Sequence, residues 1–462
     1  MGDGPCELPA RLLARRLRQG RLSAVEALEA HLERIERRNP ALNAVVSLDP
    51  DRAREAAAAA DAALARGEVR GPLHGVPMTL KDGHDVAGLR TTLGAVELDR
   101  IAGEDGTVAA RLRAAGAIVF GHTNVAAYLA DFLQSANPVF GRTANPWDVE
   151  RTPGGSSGGA AAALATGMTP LEVGSDLAGS IRVPAHFCGV YGLKTTEHRV
   201  PLTGFFRPPA GSPRPVRIMS CPGPLARDLE DLRLALALIA GPDGWDGDVP
   251  PVPLGPRPRR RLPELRLAVV PAPPGAPVSR GVRELVERVA ARASDAGARV
   301  EGRLPEVDWE AGDRLFGELV ETITGVLDPP SDLPAERRTL AWYLGALDRR
   351  DRLARTWAAF FEDVDALLLP SALTGAFTHR ETGAPLEVDG ETVSYWEHGR
   401  LVAFANLAGL PVLVAPAGRD EGGLPVGIQI VGPRWSEMRL LEIGRELERA
   451  GILPGFRAPP GE

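Results

Sequence analysis

Apolar positions along this chain recur at two periods, and the alternation between them sets the predicted elements. From Ser23 onward Val25, Leu28, Leu32 and Ile35 fall on one helical face. The S-x-x-E capping box of Ser23 and Glu26 opens that helix, and Asn39-Pro40 is its predicted stop. An Ala-rich helix is predicted after Asp49-Pro50, running to about Gly67. The short apolar run VPMTL then predicts a buried strand that delivers Lys81 at its end. A helix over 107–116 followed by the strand AIVFG continues the helix–strand rhythm of a wound α/β protein.

Farther on, PGGSSGG (153–159) is a loop leading straight into a helical AAAALATG. Residues 171–183 pass from a short apolar segment into a second Gly-containing loop. The Pro-rich stretch 241–263 reads as an exposed connector. Beyond it LRLAVVP, a helix over 278–297 and ARVEGRLPEV form a βαβ-like unit that pattern alone would allow as a separate domain. Helices over about 308–325 and 334–363, the strands ALLLPS, PVLVAP and GIQIVG, and a helix over 436–450 complete the chain.

Composition narrows the function classes. With 462 residues, 44% apolar and 24% charged, the chain can build a deep core and is not a disordered polymer. A net charge of −7 argues against a nonspecific nucleic-acid binder, so no nucleic-acid partner is expected. No run approaches a membrane span, and the charged N-terminal stretch lacks the apolar core of an export signal. Cys6, Cys188 and Cys221 have neither disulfide-framework nor metal-ligand spacing, and a reducing cytoplasm is the expected location. No cofactor and no metal are expected.

Of the 53 basic residues, only Lys81 and Lys194 are lysines. An arginine stays protonated in a protein, whereas a desolvated lysine can act as a base near neutral pH. On residue type alone, chance survival of two surface lysines is the favoured reading. The loop GGSSGG offers backbone N–H groups and the hydroxyls of Ser156 and Ser157 at a helix start, without the lysine a phosphate loop requires. The second loop, GSDLAGSIRVPA, presents Ser180 behind Leu177, Ala178 and Gly179, where N–H groups could converge on an oxyanion. Asp176 and Arg182 flank it and could brace the turn. The eight histidines are scattered and no H-E-x-x-H motif occurs, so a buried lysine paired with serine is the better physical option than a Ser-His-Asp triad or a metallohydrolase.

These residues lie in blocks that resemble the amidase signature family: GVPMTLKDGHDVAG (75–88), FGRTANPWDVERTPGGSSGGAAAALATG (140–167), GSDLAGSIRVPAHFCGVYGLKTT (174–196), CPGPLARDLEDL (221–232), and ANLAGLPVLVAPAG with GGLPVGIQIVGPRWSE near the end. The resemblance implies a Ser–cis-Ser–Lys triad of Ser180 as nucleophile, Ser156 as bridge and Lys81 as base. Ser157, Asp176 and Arg182 would support it, and the N–H groups of Leu177, Ala178, Gly179 and Ser180 would form the oxyanion hole. It also implies a single compact α/β/α domain over 1–462 around a large mixed sheet. Within it would lie a helical segment at about 8–67, a signature core at about 68–240, the connector at 241–263, and 264–462 as part of the same fold. Lys194 would be a packing residue. The activity implied is hydrolysis of a small-molecule carboxamide through an acyl-enzyme. The alternatives are a noncatalytic binding protein and a glutamine-hydrolysing amidotransferase A-type subunit. A homo-oligomer is left open.

The chain departs from the family at Ala178, where glycine is usual, which raises the question of strain at a left-handed φ. It departs also at His122 and Ala127. The stretch after Lys194 differs from that of the transamidation enzyme. Specificity is expected from 125–137, 200–215, 312–345 and 376–400, with Phe205, Phe206, Trp342, Tyr343, Phe377 and Trp396 as candidate pocket walls.

Overall fold

The computed structural model describes residues 4–207, 214, 216–256, 258, 260–325 and 333–461. Parts of two expected specificity segments, 208–213 with 215 and 326–332, lie outside the described residues, as do Arg257 and Arg259 of the connector.

The capping box forms as its sequence dictates. Ser23 Oγ accepts from the Glu26 N–H (3.0 Å) and the Glu26 carboxylate accepts from the Ser23 N–H (2.7 Å). The helix, Ala24–Leu42, outruns the expected stop and keeps Pro40 inside its last turn. So near the end, proline removes little of the hydrogen-bond ladder. The chain is turned instead by Asn39, whose Oδ1 accepts from Ala44 and Val45 N–H (2.8 and 2.9 Å) while its Nδ2 donates to Val45 O (2.7 Å). The next helix, Pro50–Ala65, starts with Asp49 as its cap and Pro50 in the first turn, where no N–H is missed.

A small sheet holds β1 (Val45–Leu48), β2 (Pro77–Lys81) and β3 (Ile118–Thr123) in the order β1-β3-β2. β2 is buried along its whole length and runs parallel to β3, with Lys81 opposite Thr123. The large sheet has eight strands: β4 (Leu171–Asp176), β5 (Tyr191–Lys194), β6 (Cys221–Ala226), β7 (Arg266–Val269), β8 (Arg299–Glu301), β9 (Ala366–Pro370), β10 (Val412–Arg419) and β11 (Pro425–Val431). Their order is β8-β7-β9-β11-β10-β5-β6-β4, parallel among β8, β7 and β9 and antiparallel elsewhere. The βαβ-like unit therefore shares one sheet with the segments that carry Ser180, and the fold is a compact α/β domain around a large mixed sheet.

Alternation along the strands builds two helical layers. Leu413, Ala415, Ile428 and Ile430 pack with Leu440, Leu441, Ile443 and Leu447 of helix Glu437–Arg449 and with Leu229, Leu232 and Leu236 of helix Leu229–Ile239. Val414 and Leu225 meet Ile181, Ala185 and Cys188 and the buried helix Gly158–Ala165 through Ala161, Leu164 and Ala165. The small residues of that last helix are required by space. A Cβ on Gly159 would stand 2.4 Å from the Asn124 nitrogen and 2.6 Å from the Ala44 oxygen. Among the described residues no helix is long and apolar enough to cross a membrane.

Candidate active site

β2 ends by placing Lys81, with no exposed surface, against two hydroxyls. Its Nζ lies 2.7 Å from Ser156 Oγ and 2.9 Å from Ser175 Oγ. Burial strips the ammonium of its hydration and lowers the amine from 10.5 to about 7, against the opposing pull of Asp176, Glu172 and Asp82. Glu172, two strand positions from Gly174, accepts from Thr79 Oγ1, and burial raises its carboxyl to about 8. A carboxyl that is largely un-ionised at neutral pH is a weak trap for an ammonium.

Ser156 and Ser157 sit where the GGSSGG loop becomes helix. The Gly155–Ser156 peptide is cis. Gly155 N–H donates to Phe132 O (3.1 Å), and Ser135 Oγ accepts from Gly158 N–H (3.0 Å), anchoring the loop on either side of the two serines. Ser157 N–H donates to Ser180 O (3.3 Å) and Ser157 Oγ to Ser175 O (3.4 Å), so the first loop is laced to the second. Ser180 is 4% exposed, and among the described residues its hydroxyl has no hydrogen-bond partner. The structure thus joins Lys81 to Ser156 side chain to side chain, and ties Ser180 through its backbone carbonyl to the neighbouring Ser157.

The turn after β4 is shaped by one buried ion pair. Arg182 Nη2 and Nε donate to Asp176 Oδ1 and Oδ2 (2.8 and 3.0 Å), both residues being wholly buried. Burial alone would raise the Asp176 carboxyl, but the Arg182 guanidinium and the Gly179 N–H hold it well below the usual carboxylate range. Asp176 also accepts from the N–H groups of Gly179 (2.9 Å), Ile181 (3.1 Å) and Arg182 (3.4 Å). Gly179 is therefore the one of the four expected oxyanion donors whose amide already has an acceptor. The N–H groups of Leu177, Ala178 and Ser180 have none among the described residues. The strain anticipated at Ala178 does not arise. The left-handed residue is Gly179 (φ 97°), where a Cβ would also press on Val402 at 3.1 Å.

Sequence reasoning missed three residues of the site. Ser175, the second hydroxyl on Lys81, lies on β4 rather than in the loop assigned from Gly174 onward. Asn406 and Gln429 hold Arg182 from distant segments: Arg182 Nη2 donates to Asn406 Oδ1 (2.5 Å) and Nη1 to Gln429 Oε1 (3.0 Å). The candidate pocket aromatics divide between places. Trp342 and Tyr343 pack in one apolar cluster with Leu177, Ile218 and Phe316, whereas Phe377 belongs to another that reaches Ala178. Phe205 instead lies on His84, with ring centroids 4.8 Å apart.

Comparison with known proteins gives the family. The Amidase family pattern matches residues 26–321 and 306–441. The chain is 35% identical to an indoleacetamide hydrolase of Bradyrhizobium diazoefficiens over 458 residues, covering 95% of this chain and 85% of that one. It is also 35% identical to the A-type subunit of the glutamyl-tRNA(Gln) amidotransferase of Thermus thermophilus, covering 97% of this chain and 98% of that one. A solved bacterial aryl acylamidase of the amidase signature enzymes superposes with a TM-score of 0.84, at 25% identity and with 97% of each chain covered. The chain belongs to the amidase signature family, and its chemistry is amide hydrolysis.

Proposed function

We propose that this protein hydrolyses a small-molecule carboxamide, releasing a carboxylic acid and ammonia or an amine, with Ser180 as nucleophile, Ser156 as proton bridge and Lys81 as base. The observation that carries the reading is the desolvated Lys81 amine 2.7 Å from Ser156 Oγ, beside the turn that bears Ser180. With its affinity for protons lowered to about 7, Lys81 is available as a free amine at neutral pH. Lys81 takes the Ser156 proton as Ser156 takes that of Ser180, and Ser180 Oγ attacks the amide carbonyl. Among the described residues the Ser180 hydroxyl has no hydrogen-bond partner to release before it turns to Ser156.

The tetrahedral oxyanion would be met by the unclaimed N–H groups of Leu177, Ala178 and Ser180. The proton then passes back along the relay to the leaving nitrogen, which leaves as a neutral amine. Water reaches the acyl-Ser180 ester, gives up its proton along the same path, and frees the acid. Ser157 and the Asp176–Arg182 pair hold the two loops in register. We further propose a cytosolic enzyme folded as one domain, the shared sheet supporting the latter.

A second reading makes the chain the ammonia-generating subunit of a larger assembly, supported by its 35% identity to the Thermus amidotransferase chain. Ammonia release from a panel of aryl, aliphatic and amino-acid amides by the isolated chain tests the first reading. Ser180→Ala should abolish that release. Glutamine hydrolysis that requires a copurifying partner would favour the second.

A further inference from the structure

Asn406 lies in the short helix Ala403–Leu407 and has no exposed surface. Its Nδ2 donates to Asp176 O (3.0 Å), Asp176 Oδ1 (3.1 Å) and Met219 O (2.9 Å), while its Oδ1 accepts from Arg182 Nη2 (2.5 Å). An amide nitrogen has two N–H bonds, so three acceptors saturate it. A residue that merely filled space could satisfy these groups on any nearby carbonyls. Here three of the four contacts fall on the one ion pair that shapes the turn before Ser180.

The fourth contact, Met219, is conformationally unusual. Its φ of 64° lies in the left-handed region that side chains other than glycine rarely adopt. Such outliers persist where the surroundings fix them. Met219 is pinned on both sides: its N–H donates to Glu197 Oε1 (2.5 Å) and its carbonyl accepts from Asn406 (2.9 Å). Its buried side chain belongs to the apolar cluster against which Leu177 packs. Met219 thus reaches the turn twice, through Asn406 to Asp176 and through the apolar cluster to Leu177.

We propose that Asn406 is a positioning residue for the hydrolysis: its single amide group locks the Asp176 carboxylate and carbonyl to the Met219 carbonyl, and so sets the angle at which residues 177–180 present their N–H groups and the Ser180 hydroxyl. The proposal rests on the Ser180 reading above. It acts through Asp176, which holds the N–H groups of Gly179 and Ile181 on either side of Ser180. Small misplacements of reacting groups cost rate out of proportion to their size, a shift of about 1 Å being worth on the order of a hundredfold.

The test is Asn406→Asp in the full chain. The variant keeps the shape and the acceptor for Arg182, but sets an oxygen against Asp176 and the Met219 carbonyl. Expected in protein with native circular dichroism is a kcat lower by about tenfold or more, with KM changed by less than about twofold. The rate at which a fluorophosphonate labels Ser180 should fall by the same factor, a readout that substrate affinity does not enter. Asn406→Ser, which retains one hydroxyl donor in less space, carries the same test with a smaller loss if the aspartate variant does not fold. A wild-type kcat and labelling rate in either folded variant overturns the proposal, as does a raised KM with kcat unchanged. Full activity in Ser180→Ala would instead remove the reading beneath it.

Discussion

Lys81 and Lys194 are the two lysines of the chain, both at strand ends and both fully buried, and their pockets differ in one chemical respect. Lys194 Nζ donates to the carbonyls of Leu410 (2.7 Å) and Thr195 (3.1 Å) and lies 3.4 Å from Cys221 Sγ. Carbonyls only accept, so neither can pass a proton to or from the amine. Burial, chiefly, pushes the Cys221 thiol up to about 11, which leaves it no thiolate to exchange with. Lys81 faces the hydroxyls of Ser156 and Ser175, which can give or take a proton. The same residue type donates to carbonyls in one pocket and faces hydroxyls in the other, where the proposed mechanism uses it as the base. Burial does not separate them; the partners do.

The comparison can be broken most severely at Lys81. Lys81→Arg should be as inactive as Lys81→Ala, each losing about 10²- to 10⁴-fold in kcat/KM, because a guanidinium cannot surrender its proton. Substantial activity in the arginine variant would show that charge, not basicity, is what this pocket supplies. The pH profile gives the next largest effect. The base works unprotonated, so kcat/KM should fall as pH drops through about 7, the value at which Lys81 takes up its proton. An acidic limb that is flat down to about pH 5, well below the protonation of Lys81, would deny it the role.

Ser175→Ala removes one of the two hydroxyls on Lys81 and should lower kcat by about tenfold or less, the worth of one neutral hydrogen bond of about 0.5–1.5 kcal/mol. A loss as large as that of Lys81→Ala would make Ser175 part of the relay itself. Lys194→Met should have the smallest effect on catalysis. It strands two buried carbonyls and should destabilise the fold by about 1–3 kcal/mol in urea unfolding, while the folded fraction keeps wild-type kcat. A pH-rate profile displaced by Lys194→Met would erase the distinction between the pockets.

How much of this is legible in the sequence depends on how local each signal is. The strand that carries Lys81 can be read because VPMTL is a short apolar run that ends on the lysine, and the capping box at Ser23 is contained within four residues. The Pro-containing CPGPLA does not read as a strand, since proline normally argues against one. It forms β6 because only Leu225 and Ala226 pair with β5, so the flank at Pro222 and Pro224 has no ladder on that side. Ser175 is hidden because Gly174 looks like the start of a loop, yet the strand continues to Asp176. Asn406 has no local signal at all: its partners Asp176 and Met219 lie 230 and 187 residues away in sequence. The resemblance names Ser156 and Ser180 from their motifs, but only the folded chain displays that Gly179 N–H is committed to Asp176 and that Gly179, not Ala178, carries the left-handed turn.

The central claim is that one desolvated amine activates Ser180 through Ser156. The most direct measurement is the pH dependence of fluorophosphonate labelling, with the modified residue mapped by mass spectrometry in the wild type and in Lys81→Arg. The account predicts a single adduct on Ser180, a labelling rate half-maximal near pH 7, where Lys81 loses its proton, and an arginine variant that stays unlabelled over the same period. An adduct on another residue, or wild-type labelling of Ser180 in Lys81→Arg, would contradict it.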